Sequence, residues 1–330
     1  MDTPVPAAPR LASIHYLRGV AAVMVVVYHS FSQALVPIDD PQHVLWLKHG
    51  VAIFFVISGF VMVASTADGR RSPWRFLARR VRRVAPLYWL ATFCWALVYA
   101  YTDADHLASS LLFAPSVDPV GGATRPPLLD VGWTLQFEMF FYAAFALCLC
   151  FPGLHAIWLL AAALLVGSQL PGAVALPPPF DFYLSAVLAE FAGGMLLALL
   201  RVQAPIWCLP LGFAWLAIVP DLVDSRLVAI TAPALLIVAS ARSLDPYLRG
   251  WRVPWLIGDA SYAIYLTHMF VLLYVQRLFE PLPPPAVSFA LCVMGSIGVG
   301  VLVHRTIELP MLASRRPRGR STMEGAAAAV

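Results

Sequence analysis

The chain has 330 residues, of which 60% are hydrophobic and only 12% charged, with a formal net charge of +4. No soluble domain of this size stays in solution with that balance, so composition excludes an ordinary cytosolic enzyme and points to a polytopic membrane protein. The basic excess carries no nucleic-acid reading, because no soluble domain accompanies the basic loops.

A bilayer core about 30 Å thick takes about 20 apolar residues per helix. On that ruler ten segments follow one another, beginning near residues 12, 46, 86, 131, 155, 181, 206, 227, 257 and 286. The expected fold is all-α, a polytopic bundle of about ten transmembrane helices. Segments seven and eight, from Trp207 and Leu227, are short, so nine or eleven spans stay open. With ten spans and the N-terminus inside, the cytoplasmic loops hold Arg10, the run Arg70, Arg71, Arg75, Arg79, Arg80, Arg82 and Arg83, then Arg201, Arg242, Arg249, Arg252, Arg305, Arg315, Arg316, Arg318 and Arg320. The other side receives only Lys48, Arg125, Arg226 and Arg277, which puts both termini in the cytoplasm by the positive-inside rule.

Segment one, LASIHYLRGVAAVMVVVYHSFS, carries Arg18 and His29 eleven positions apart, close to three helical turns, so both project from one face about 16 Å apart. An intramembrane guanidinium is retained where it faces a cavity or a partner, not lipid. The pair can address two ends of a long ligand. No small-residue cleavage site follows this segment, so it reads as a retained helix and not a removable signal peptide.

Three connections exceed the usual loop length. Thr66 to Ala85 is the Arg-rich cytoplasmic one; Thr102 to Asp130 is extracytoplasmic and reads as a lid or an acceptor-binding loop; Arg242 to Leu256 is cytoplasmic. Residues 1–310 form one transmembrane domain, and 311–330 read as a disordered basic cytoplasmic tail beside anionic lipid headgroups. No internal repeat is evident, which weakens a transporter reading. The five cysteines have no CxxC spacing and fall within or at the ends of apolar segments, so neither a disulfide framework nor a zinc site is expected.

Five strings stand in order: LRGVAAVMVVVYH (17–29), GVAIFFVISGFVM (50–62), RRVRRVAPLYW (79–89), WTLQFEMFFY (133–142) and SYAIYLTHM (261–269). Together they resemble the membrane-bound acyltransferase 3 family, whose members O-acylate sugars of lipopolysaccharide, exopolysaccharide and similar glycans. The resemblance implies a cytoplasmic acyl-coenzyme A donor, most simply acetyl-coenzyme A, and an acceptor hydroxyl on the far side of the cell inner membrane. It makes Arg18 and His29 the Arg-x10-His pair, Arg80 and Arg83 the paired arginines ahead of a proline, Ser58 and Gly59 the end of the phenylalanine-rich SG string, and Glu138 the acid of the Trp-Ser-Leu-x-x-Glu string. Thr134 replaces the usual serine and keeps the hydroxyl.

The residues fit those roles chemically. His29 near the outer end of segment one and Glu138 about two turns into segment four reach similar depth, so His29 can serve as general base with Glu138 fixing its tautomer. An acyl-His intermediate is the variant. The competing readings are an interfacial histidine and a buried structural acid. Arg18 reads as a donor-binding group, or as a structural Arg with Glu190 as partner; Arg80 and Arg83 as phosphate binders, or as topological and snorkelling charges. Ser58 and Gly59 either admit a pantetheine arm closely or serve helix packing. His268 either lines the tunnel or is structural. His43, His49 and His106 are expected to be solvated, Trp46, Tyr88, Trp89 and Trp133 to anchor at the interface, and Glu308 to be structural. The reading that unites these is a membrane O-acyltransferase acting on an envelope or exported glycan, with no metal required. A glycolipid transporter and a non-catalytic subunit of an export complex are the alternatives.

Overall fold

The computed structural model describes residues 11–33, 35–36, 42–66, 72–119, 121–151, 153–248 and 251–313. Arg10, Arg70, Arg71, Arg249 and the tail from residue 314 lie outside the described residues. The elements in chain order are α1 (Ala12–Ser32), α2 (Gly50–Ala64), α3 (Pro73–Val98), α4 (Ala104–Leu111), the strands β1 (Ser116–Val117) and β2 (Thr124–Arg125), α5 (Trp133–Cys148), α6 (His155–Gly167), α7 (Leu188–Leu199), α8 (Cys208–Ile218), α9 (Ala232–Ala241), α10 (Arg252–Asp259), α11 (Ser261–Leu278) and α12 (Pro285–Val303). π-Helical turns precede α9 and follow α12. The architecture is all-α; the two-residue strands pair antiparallel, with Ser116 opposite Arg125.

Five helical stretches are long and apolar enough to cross a bilayer: Ala12–Ser32, Trp46–Ala64, Asp130–Cys148, Leu227–Leu244 and Pro285–Ala313. Helices α10 and α11, bent by 73° at Ala260, qualify as a sixth when taken together. Where the other predicted segments lie, His155–Gly167, Leu188–Leu199 and Cys208–Asp221 are apolar helices of only 10–17 residues. Helix α3 is 26 residues long, and its first half is crowded with arginines. The molecule is thus a membrane protein with apolar side chains such as Leu97, Leu159 and Met294 turned outward.

Local chemistry explains several boundaries. The Asp245 carboxylate accepts from the Ser13 amide at 2.8 Å and so caps α1 from a segment 232 residues away. Pro73, with its φ preset for a first turn, opens α3 well before the predicted start near residue 86. The Arg-rich connection is therefore helical from Pro73, because Arg, Leu and Ala favour helix more than an open loop.

Helix α1 packs against α2, α10, α11 and α12, and α2 against α7. The α2–α7 contact is backbone against backbone. A Cβ at Gly59 would sit 2.1 Å from the Phe191 carbonyl oxygen, and one at Gly194 would sit 2.0 Å from that of Val56. Such approach is open only to residues without a side chain.

The described residues of the 102–130 connection are knit together by side-chain contacts. Asp103 accepts from the His106 amide to cap α4 and bridges to Arg125 at 3.4 Å. His106, expected to be solvated, is buried: its Nε2–H donates to the Pro126 carbonyl at 2.9 Å, leaving Nδ1 to accept from the Tyr101 hydroxyl. Tyr88, expected at the interface, is fully buried and donates to the Ser110 carbonyl. His49 is buried as well.

Adding a methyl group at Gly59 or Gly194 should force α2 and α7 apart and cost about 1–3 kcal/mol. Gly59→Ala and Gly194→Ala are expected to melt several degrees lower in detergent. Gly298→Ala, where nothing lies within 4 Å, should not.

Candidate active site

Helix α3 presents Arg79, Arg80, Arg82 and Arg83 in one and a half turns. The i, i+3 pair Arg80 and Arg83 is half-buried, while Arg79 and Arg82 are exposed. Arg80 and Arg83 line an internal cavity of about 100 Å³ together with Arg18 and His15 of α1, Ser58 of α2, Thr134, Glu138 and Tyr142 of α5, and Tyr262 and Tyr265 of α11. The rest of its wall is apolar, mainly from Phe54, Phe55, Val61 and Met62. That volume admits several waters or a slim acyl chain.

Four charge-bearing side chains from three helices thus converge on one space: three guanidinium groups and one carboxylate. The Ser58 hydroxyl donates to Glu138 Oε1 at 3.3 Å, and the Tyr142 hydroxyl, one helical turn along α5, donates to the same oxygen. The Arg80 guanidinium lies 5.7 Å from the Phe76 ring centre and 5.8 Å from that of Tyr142, a cation–π clamp that steers it toward the cavity. His15 Nε2–H reaches the Trp255 carbonyl at 3.0 Å and Asp259 at 3.2 Å, tying the cavity wall to the end of α10. Tyr262 donates to the Val84 carbonyl at 2.7 Å, in the stretch of α3 that Pro86 deprives of a helical hydrogen bond.

His29 is not among the residues that line this cavity. It stands one layer behind the wall formed by Tyr265. The Tyr265 hydroxyl donates to the Val131 carbonyl at 2.9 Å and meets Thr134 Oγ1 at 2.9 Å. Its backbone carbonyl accepts from His268 Nδ1 at 2.6 Å, and His268 Nε2 lies 3.1 Å from His29 Nδ1. His29 Nδ1 is also 3.1 Å from the Val25 carbonyl.

Several pairings expected from the sequence are therefore redistributed. The sequence pairs Glu138 with His29; Glu138 bonds Ser58 and Tyr142 instead, and the side chain within hydrogen-bond distance of His29 is that of His268. Glu190, the candidate partner of Arg18, is wholly buried and bonds Arg226 through Nε at 3.0 Å and Nη2 at 2.8 Å. Gly59 does not line the cavity, because its bare face is taken up by α7. Glu308, read as structural, accepts from His304 at 2.7 Å within the π-helical turn after α12. His15, Tyr142, Tyr262 and Tyr265 were missed, although His15 and Tyr142 stand one turn from Arg18 and Glu138 on the same faces. Among the described residues no group of three or more His, Cys, Asp or Glu is gathered as for a metal ion.

Comparison with known proteins agrees with the motif strings. An acyltransferase domain family matches residues 11–305. The exopolysaccharide production protein ExoZ of Rhizobium meliloti (strain 1021) is 34% identical over 305 residues, covering 84% of this chain and 93% of that protein. Acyltransferase MdmB of Streptomyces mycarofaciens is 28% identical over 377 residues, covering 94% of this chain and 95% of its own length. No solved structure matches the chain.

Breaking the Glu190–Arg226 pair from one side should be costly, since it leaves a carboxylate unpaired in the interior. Arg226→Met is expected to lose about 3–5 kcal/mol, and Glu190→Leu/Arg226→Met to recover most of it. Thermal melts of the three proteins in one detergent test this order.

Proposed function

Since the chain belongs to the acyltransferase 3 family and is an acyltransferase of the membrane, we propose that it moves an acyl group, most simply acetyl, from cytoplasmic acyl-coenzyme A to a hydroxyl of an exported or envelope glycan. The observation that supports this reading is the convergence of Arg18, Arg80 and Arg83, against the single carboxylate of Glu138, on one cavity within an apolar bundle. Coenzyme A has the matching form: a pyrophosphate and a 3′-phosphate at one end, and a thin uncharged arm ending in the thioester. Guanidinium forks bind phosphate in bidentate fashion, and a surrounding low dielectric strengthens that attraction. Arg80 and Arg83 hold the phosphates, Arg18 the donor further in, and Ser58 flanks the arm. Glu138 balances the guanidinium charge and anchors Ser58 and Tyr142. Support for a glycan acceptor comes from the likeness to a relative named for exopolysaccharide production.

In this reading the ten apolar segments cross the inner membrane with both termini cytoplasmic, residues 1–310 form the catalytic domain, and the exposed Arg79 and Arg82 sit at the cytoplasmic face. His29 is the general base. Its neutral ring takes the proton of the acceptor hydroxyl as that oxygen attacks the thioester carbonyl and the new C–O bond forms. Collapse of the tetrahedral intermediate breaks the C–S bond, and the leaving thiolate recovers the proton from the imidazolium.

The test is calorimetric binding of acetyl-coenzyme A to protein in nanodiscs, with thiol release as the turnover readout. His29→Ala should bind like wild type and turn over about 10²- to 10⁴-fold more slowly. Arg80→Ala/Arg83→Ala should bind at least tenfold more weakly. A wild-type protein that fails to bind acetyl-coenzyme A, yet moves a glycolipid across vesicles without it, would make this a transporter.

A further inference from the structure

We propose that His268 is the positioning residue for His29: across the α1–α11 interface it fixes the tautomer in which Nε2 of His29 bears the lone pair that takes the acceptor's proton. This rests on the reading of His29 as base.

The argument runs along hydrogen-bonding capacity. A backbone carbonyl only accepts, so the 2.6 Å contact between the Tyr265 oxygen and His268 Nδ1 requires a hydrogen on that nitrogen. His268 is 0% exposed. A charged imidazolium so placed would require an anionic partner, yet the groups that meet it are neutral: the Tyr265 and Ile264 carbonyls and the His29 ring. The neutral ring fits, and it has one hydrogen, so Nε2 is an acceptor. Opposite it, at 3.1 Å, His29 Nδ1 must then be the donor. The Val25 carbonyl, also 3.1 Å from His29 Nδ1, accepts as well and agrees with this assignment. That carbonyl already receives the helical N–H of residue 29, so His268 is the acceptor that comes from outside α1. The hydrogen count leaves one site on His29 unprotonated, Nε2.

The consequence for the reaction is specific. When the hydroxyl proton moves to Nε2, both nitrogens of His29 carry hydrogen, and the bond from Nδ1 to His268 becomes charge-assisted and stronger. His268 thus stabilises the charged intermediate more than the resting ring, which is the condition for accelerating the step. It touches neither donor nor acceptor. The thiolate later removes the Nε2 hydrogen and restores the starting tautomer. The arrangement supplies through an imidazole what a carboxylate supplies in the hydrolase triads.

The test measures kcat and KM for acetyl-coenzyme A in nanodiscs, by thiol release, for wild type, His268→Leu, His268→Gln, His268→Asn and His29→Ala. His268→Leu should lower kcat about 10²-fold or more with KM within twofold of wild type. His268→Gln, whose longer amide offers an acceptor oxygen to His29, should recover at least tenfold of that loss, and the shorter His268→Asn should not. Should the leucine variant fail to fold, the Gln and Asn pair carries the comparison alone. Gln and Asn equally impaired, or a raised KM in place of a lowered kcat, would overturn the proposal. Wild-type kcat in His268→Leu beside an inactive His29→Ala would do the same while sparing His29 as base. Wild-type kcat in His29→Ala would instead remove the underlying reading.

Discussion

A charge placed among apolar helices must be met by another charge, a hydrogen bond or water, because hydrocarbon offers none of them. Most of the polar organisation of this protein follows from that constraint. Its inward-facing guanidinium groups share a cavity and a counter-charge, as with Arg18, Arg80, Arg83 and Glu138, or meet a wholly buried carboxylate, as the half-buried Arg226 meets Glu190. The histidines obey the same rule, His15 and His304 against carboxylates and two others against neutral groups. His106 sits between a tyrosine hydroxyl and a carbonyl, and His268 between a carbonyl and a second imidazole.

The bundle holds two polar regions side by side. The cationic cavity is walled by α1, α2, α3, α5 and α11, and the His29–His268 couple stands behind Tyr265. Tyr265 belongs to both regions: its ring and hydroxyl face the cavity and Thr134, and its carbonyl fixes His268. A side chain so tied, wholly within the bundle, gives the two regions a common rigid reference.

Helical spacing and the expense of intramembrane charge made Arg18 legible, whereas Arg80, Arg83, Ser58 and Glu138 stood out through the likeness of their motif strings to the acyltransferase 3 family; the cavity brings these five side chains together. Pairings between distant helices were out of reach. His29 and His268 are 239 positions apart, and Glu190 and Arg226 are 36 apart with α8 between them. Similar depth suggested Glu138 for His29, and Glu190 stood as the partner of a purely structural Arg18; packing joins both acids to other residues. The helical start at Pro73 was hidden by charge: a hydropathy ruler sees arginines as loop, while the backbone sees good helix formers. The contacts made by the 102–130 connection were likewise hidden, since Tyr88 and His106 look like surface residues until their partners are known.

The glycine contact between α2 and α7 has a dimensional meaning. A helix surface knurled with side chains can settle into more than one register, each differing by a residue's rise of about 1.5 Å. Gly59 and Gly194 each receive the other helix's backbone at a distance that no neighbouring position would tolerate, so the two helices behave like a keyed shaft. Ser58 is the next residue along. Its hydroxyl is thereby held at a fixed height above Glu138, and a tolerance well below one residue's rise is machined into the cavity by α7, a helix that does not line it.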